Sequence, residues 1–146
     1  MNKSLSLLLK YKNQYVFDRY NKDYSQNHLR APEAFSELIK YMWLCRQHKI
    51  DRQKSQDPDL NFNCVMHYEM REIDDMWHTF LLFTNDYHEF CMNYFGEFFH
   101  HYPLKDEDKT VPGELYKIEL RRYLTYIYNK LGQQTLKKWF DECIFE

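Results

Sequence analysis

The chain has 146 residues, of which 44% are hydrophobic and 18% aromatic, and its formal net charge is −2. This length suits one domain over residues 1–146 that folds by burying a core, and the aromatic content excludes a disordered chain. Its 20 basic and 22 acidic side chains give no overall positive field, so nucleic acid is not a predicted partner.

The cysteines predict a reducing compartment. Cys45, Cys64, Cys91 and Cys143 are separated by 19, 27 and 52 residues, and none forms a CxxC pair. In a domain of this size, such a spread is typical of free thiols in a cytosol-like environment. No apolar stretch approaches the roughly 20 residues that span a bilayer. We therefore expect a soluble, cytoplasmic protein that does not bind membranes.

Apolar residues recur at helical spacing along almost the whole chain, which contains only three glycines and four prolines. In the first half, segment 5–9 suits a first helical turn and segment 15–24 a further helix. Ala31-Pro32-Glu33 indicates the start of a longer helix, which we expect to end near residues 48–50. The polar segment 51–63 is predicted to be a loop.

The second half predicts four more helices. The first covers about 66–83, and the second ends at Gly96 in a left-handed turn. The third, which has the strongest amphipathic spacing, runs from about 116 to 131 and is stopped by Gly132. A short final helix covers about 134–143. Together these segments predict an all-α bundle of five or six helices without a sheet.

Asp74 and His78 are the centre of the candidate site. They are four residues apart, so on a helix their side chains project from the same face. Both can bind one metal ion, or the carboxylate can orient the imidazole while its other nitrogen binds metal or moves a proton. Asp75 offers His78 a similar pairing at three residues. The sequence leaves the choice between the two aspartates open.

Further candidate ligands follow along the chain. Zinc accepts imidazole, thiolate and carboxylate, and three protein ligands plus water make a catalytic zinc site. Ferrous iron prefers two histidines and one carboxylate, a set that Asp74, His78 and either His100 or His101 can supply. The candidate cofactors are therefore zinc and iron, and the candidate catalytic residues are Asp74 and His78. The candidate metal ligands are Asp74, His78, His100, His101 and Cys91.

A structural role for the same residues is the alternative. An Asp–His pair on a helix is often only a hydrogen bond, histidines beside aromatics are often core residues, and no HExxH or CxxC motif occurs. The protein would then be a non-enzymatic interaction module with an exposed aromatic face that binds a protein partner. In this hypothesis the residues that fix helix packing are Trp77, Tyr87, Phe95 and Gly96.

Ten residues in this region form one pattern, D-x-x-W-H, then Y-x-x-x-C, then F-G, then a histidine pair before x-P. They are Asp74, Trp77, His78, Tyr87, Cys91, Phe95, Gly96, His100, His101 and Pro103. The pattern resembles small bacterial proteins related to the glycine-rich domain-containing protein family, whose larger plant members carry a similar D-x-x-W-H helix. The resemblance implies a shared helical core and a shared site, but no reaction, because that family has no settled activity. This chain has only three glycines, so functions proposed for a glycine-rich tail are not implied.

Overall fold

The computed structural model describes residues 3–102 and 113–140. Within these ranges the chain forms α-helices and no strand, which confirms the all-α prediction. The helices are α1 (Leu5–Leu8), α2 (Gln14–Asp23), α3 (Ala31–Lys54), α4 (Arg71–Leu82), α5 (Thr84–Phe95), α6 (Gly113–Leu131) and α7 (Gln133–Phe140). Seven are described rather than five or six, because the first turn is a separate helix of four residues. None of the described helices is long and apolar enough to cross a membrane.

Two glycines end helices as predicted. Gly96 has a φ of 74° and Gly132 a φ of 92°, values that a residue without a Cβ adopts readily. The amide of Gly96 donates to the carbonyls of Cys91 and Met92, which satisfies the last turn of α5. The chain therefore leaves α5 in a defined direction.

Other predicted boundaries are wrong. Helix α3 continues to Lys54 instead of ending near residues 48–50. Asp51 explains the extension, because it accepts hydrogen bonds from Gln47 at 2.9 Å and from the hydroxyl of Tyr126 at 2.6 Å. These two hydrogen bonds hold the polar turn around Asp51 in helical conformation. Helix α4 begins at Arg71 rather than residue 66, after a 3₁₀ turn.

Residue contacts group into two compact units. Unit 1 comprises Met1–Trp43 and Met66–Phe99. Its core is aromatic: the rings of Phe35 and Phe80 lie 5.2 Å apart, and those of Phe80 and Phe90 lie 5.5 Å apart. Each buried side chain of this kind contributes about 1.5–3 kcal/mol to folding, so α3, α4 and α5 are held together mainly by these rings.

Unit 2 comprises Leu44–Val65 and His100–Glu146. Phe62 is buried at its centre, stacked 4.1 Å from the His48 ring and 5.6 Å from the rings of both Tyr123 and Tyr126. Trp139 on α7 is fully buried. The single-domain assignment over 1–146 stays a prediction. Pro103, the charged run at 105–109 and Cys143 lie outside the described residues.

Candidate functional site

Helix α4 carries a buried face and a polar face. Ile73, Met76, Trp77 and Phe80 are buried. Asp74 and His78 project elsewhere, with 28% and 48% of their side chains exposed. The apolar residues fix the helix against the core of unit 1, so the polar pair is presented from a rigid support.

The Asp74–His78 pair adopts the geometry expected from its spacing. The distance between His78 Nε2 and Asp74 Oδ2 is 3.5 Å. Two ligand atoms that share one zinc ion, each about 2.1 Å from it in tetrahedral geometry, are themselves about 3.4 Å apart. This separation is therefore also the one that a shared metal ion requires.

The two adjacent aspartates, Asp74 and Asp75, have different partners in the structure. Asp75 accepts a hydrogen bond from Asn27 Nδ2 at 3.0 Å. Burial raises the pKa of the Asp75 carboxyl. Nearby, Glu72 accepts from the backbone amide of Leu29 at 2.8 Å. Asp75 and Glu72 thus attach the segment after α2 to α4, whereas Asp74 is the carboxylate that lies beside His78.

A buried network fixes the chain just before the histidine pair. The Phe99 carbonyl accepts a hydrogen bond from the Tyr87 hydroxyl, and the Cys91 sulfur is also hydrogen-bonded to the Phe99 backbone. Trp77 Nε1 donates to the same Tyr87 hydroxyl at 3.0 Å, and the Trp77 and Phe99 rings lie 5.5 Å apart. Phe99 is therefore anchored to α4 and α5, and His101 follows it by two residues.

His101 completes a group of three possible ligands. One carboxylate oxygen of Asp74 and one ring nitrogen each of His78 and His101 all lie within 4.8 Å of one another. A single ion needs separations of about 3.4 Å, so a side-chain movement of roughly 1–1.5 Å would close the group. Of the two histidines that the sequence offers as a third ligand, this group contains His101, and its metal-binding role stays a prediction.

Two predicted ligands lie elsewhere. His100 is exposed, and its ring lies 5.8 Å from that of Tyr102. Cys91 is buried, and burial raises the pKa of its thiol, which disfavours the thiolate that binds metal. Neither residue belongs to the three-residue group, and their metal-binding role stays a prediction.

Sequence reasoning missed the structural role of three pattern residues, Trp77, Tyr87 and Cys91. Trp77 and Tyr87 are buried, so they are not part of an exposed aromatic face. The four-residue spacing of Tyr87 and Cys91 puts both on one face of α5, a signal that they share a contact. That contact is the backbone of Phe99.

Comparison with known proteins gives one similarity. Residues 61–126 match the UCP032817-like family, which is uncharacterised. The matched region contains α4, α5 and the segment with His101, and so includes the whole candidate site. No curated protein and no solved structure matches the chain. The resemblance to glycine-rich domain-containing proteins finds no counterpart in these comparisons and stays a prediction.

Proposed function

We propose that this protein binds a divalent transition-metal ion, zinc or ferrous iron, through Asp74, His78 and His101. The observation that carries the proposal is the convergence of one carboxylate and two imidazoles within 4.8 Å. Asp74 and His78 come from one helix, whereas His101 comes from a segment that returns after the next helix. The helical spacing that brings Asp74 and His78 together does not require His101 to lie near them.

The donor set fits these ions chemically. Two imidazoles and a carboxylate are the ligands of open catalytic zinc sites and of non-haem ferrous sites. Three protein ligands leave at least one coordination position for water. Because 48% of the His78 side chain is exposed, solvent or a small ligand can reach that position. Zinc lowers the pKa of bound water to about 7, so an occupied site would supply hydroxide near neutral pH.

The surrounding residues support the same function. A metal ligand on a flexible segment must be held near its partners before the ion binds, because ordering it on binding costs affinity. Here the hydrogen bonds of Tyr87 and Cys91 with the Phe99 backbone restrain the segment that precedes His101. The buried residues Tyr87 and Cys91 therefore help to position the ligand His101 before an ion binds.

The direct test is metal binding by the full chain. Protein stripped of metal should take up one zinc ion per chain in a calorimetric titration. Zinc at 100 times its dissociation constant should stabilise the fold by about 2.7 kcal/mol. Anaerobic titration with ferrous iron distinguishes the two ions. His78→Ala and His101→Ala should each abolish stoichiometric binding.

His88→Ala is the matched control. His88 is exposed on α5 and lies outside the three-residue group, so this variant loses one surface imidazole and should bind zinc as tightly as the original protein. Equal affinity in the His78→Ala and His88→Ala variants would refute the proposed ligands. Absence of saturable binding by zinc, iron, manganese and copper would refute metal binding itself.

A further inference from the structure

The surface of α4 on the C-terminal side of His78 is apolar. Leu81 and Leu82 follow His78 by three and four residues on the same helix, so they lie on the same side of α4 as the imidazole. Leu81 is partly exposed and Leu82 is 58% exposed. Two leucines therefore adjoin a candidate metal ligand and are accessible to a small molecule.

Helix geometry directs Leu82 toward the candidate site. In an α-helix the Cα–Cβ bond tilts toward the N-terminus, so a long side chain covers the turn that precedes its own Cα. The Cα atoms of His78 and Leu82 are about 6 Å apart along the helix axis, which is about one turn. We therefore expect the Leu82 side chain to lean over the turn that carries His78.

The N-terminal side of the site disfavours an anion. Arg71 lies on the same side of α4 as His78, but about 10 Å away along the axis. Its guanidinium lies 4.5 Å from the centre of the Tyr68 ring, and Nη1 donates to the Tyr68 carbonyl at 3.4 Å, so it is turned away from His78. The Asp75 carboxylate is nearer to His78 in the helix and repels a negative group. The apolar side is therefore the better support for a substrate.

We propose that the site hydrolyses neutral esters with an apolar acyl group, and that Leu82 determines the preference for that group. This activity depends on the metal binding proposed above. Hydroxide supplied at the open coordination position attacks the carbonyl carbon of the ester. The bond from that carbon to the leaving oxygen breaks, and the leaving oxygen takes up a proton. One water is consumed, and the products are a carboxylate, a proton and an alcohol.

Contact between the acyl chain and Leu82 predicts the size of the preference. A fully buried methylene strengthens binding about fourfold, and a methylene that stays half exposed strengthens it about twofold. A hexanoyl group has four more methylenes than an acetyl group. Because these methylenes stay partly exposed beside Leu82, kcat/KM should favour the hexanoyl ester by roughly tenfold.

Ester hydrolysis by the zinc-loaded full chain tests this substrate class. The probes are the 4-nitrophenyl esters of acetic and hexanoic acid, and each rate is divided by the rate of the same ester with free hydroxide. The original protein should favour hexanoate by roughly tenfold, and Leu82→Ser should reduce this ratio to about threefold or less. Leu82→Met should keep the preference, because methionine is also apolar. His78→Ala should lose activity toward both esters.

Leu115→Ser is the matched control. Leu115 is 44% exposed and lies on α6, so this variant loses the same side chain at a similar exposure and should keep the original acyl preference. A second probe, the mono-4-nitrophenyl ester of adipic acid, has the length of the hexanoate but ends in a carboxylate. It should be hydrolysed more slowly than the hexanoate, and Arg71→Gln should change neither rate.

Zinc titration of each variant separates a wrong substrate from a wrong metal site. Leu82→Ser should bind zinc as tightly as the original protein. Absence of zinc uptake by the original protein would overturn both proposals, whereas stoichiometric uptake without ester hydrolysis above the rate of free zinc would overturn the hydrolytic activity alone. Equal acyl preference in Leu82→Ser and Leu115→Ser would overturn the role of Leu82. Faster hydrolysis of the adipate ester, lost in Arg71→Gln, would replace the apolar substrate by an anionic one.

Discussion

His48 and His78 lie on helices of the same protein and have opposite surroundings. His48 is 6% exposed, its Nε2 lies 2.8 Å from the Leu60 carbonyl, and its ring stacks on Phe62. His78 has 48% of its side chain exposed and lies beside Asp74. One imidazole is enclosed by packing and bonded to backbone, whereas the other can accept a further ligand.

The difference shows that surroundings decide what a histidine does. Burial lowers the pKa of His48, so the ring stays neutral at pH 7 and donates its Nε2–H to Leu60. A buried ring with a satisfied donor contributes to stability and has no room for an ion. His78 contributes little packing, which leaves it available for chemistry.

The largest expected effect is the contrast between His48→Ala and His78→Ala. The first removes a buried ring and leaves the Leu60 carbonyl without its donor, which should cost about 2–4 kcal/mol of unfolding free energy. The second should stay within about 0.5 kcal/mol, as surface changes usually do. Urea unfolding of metal-free protein measures both. Similar losses in the two variants would remove the distinction between the histidines.

Tyr87→Phe should connect stability with metal binding. The substitution removes the hydroxyl that accepts from Trp77 and donates to the Phe99 carbonyl, and leaves buried groups unpaired at a cost of about 1–3 kcal/mol. If this network positions His101, zinc affinity should fall as well, because ordering the segment would then oppose binding.

Tyr128→Phe is the control for that variant. Tyr128 is exposed on α6, so removing its hydroxyl should change neither the free energy of unfolding nor zinc affinity. A Tyr87→Phe variant that is destabilised but binds zinc with unchanged affinity would show that the network serves the core alone.

Gly96→Ala should have a smaller effect. A Cβ at Gly96 meets no atom within 4 Å, so the cost comes from the positive φ alone and should be about 1–2 kcal/mol. Gly113→Ala is the matched control, because that site also has open space and has no positive φ. Thermal unfolding of the two variants gives the comparison, and equal melting temperatures would contradict the strain argument.

The features that the sequence predicts correctly are those that depend on local geometry. The four-residue spacing of Asp74 and His78 and the left-handed turns at Gly96 and Gly132 depend on neighbours along the chain, and the structure shows both. The different roles of Asp74 and Asp75 depend on Asn27, which is 48 residues away from Asp75 and donates a hydrogen bond to it. The packing of Phe62 against His48 of α3 and against Tyr123 and Tyr126 of α6 joins distant parts of the chain, so no spacing rule reveals it.

The smallest expected effect is the pH dependence of stability that His48 contributes. Because burial lowers the pKa of folded His48 below the value of about 6.5 in the unfolded chain, the unfolded state binds the proton more tightly. The contribution of His48 is complete above pH 6.5 and is lost as the pH falls through the folded pKa.

Replacing His48 by Gln keeps a donor for Leu60 and removes this titration, so the variant should lose less stability than the original protein between pH 7 and pH 5. His67, whose pKa burial also lowers, adds to the slope in both proteins and cancels in their difference. If the His48 variant and the original protein gave parallel curves, the neutral, packed state assigned to His48 would be wrong.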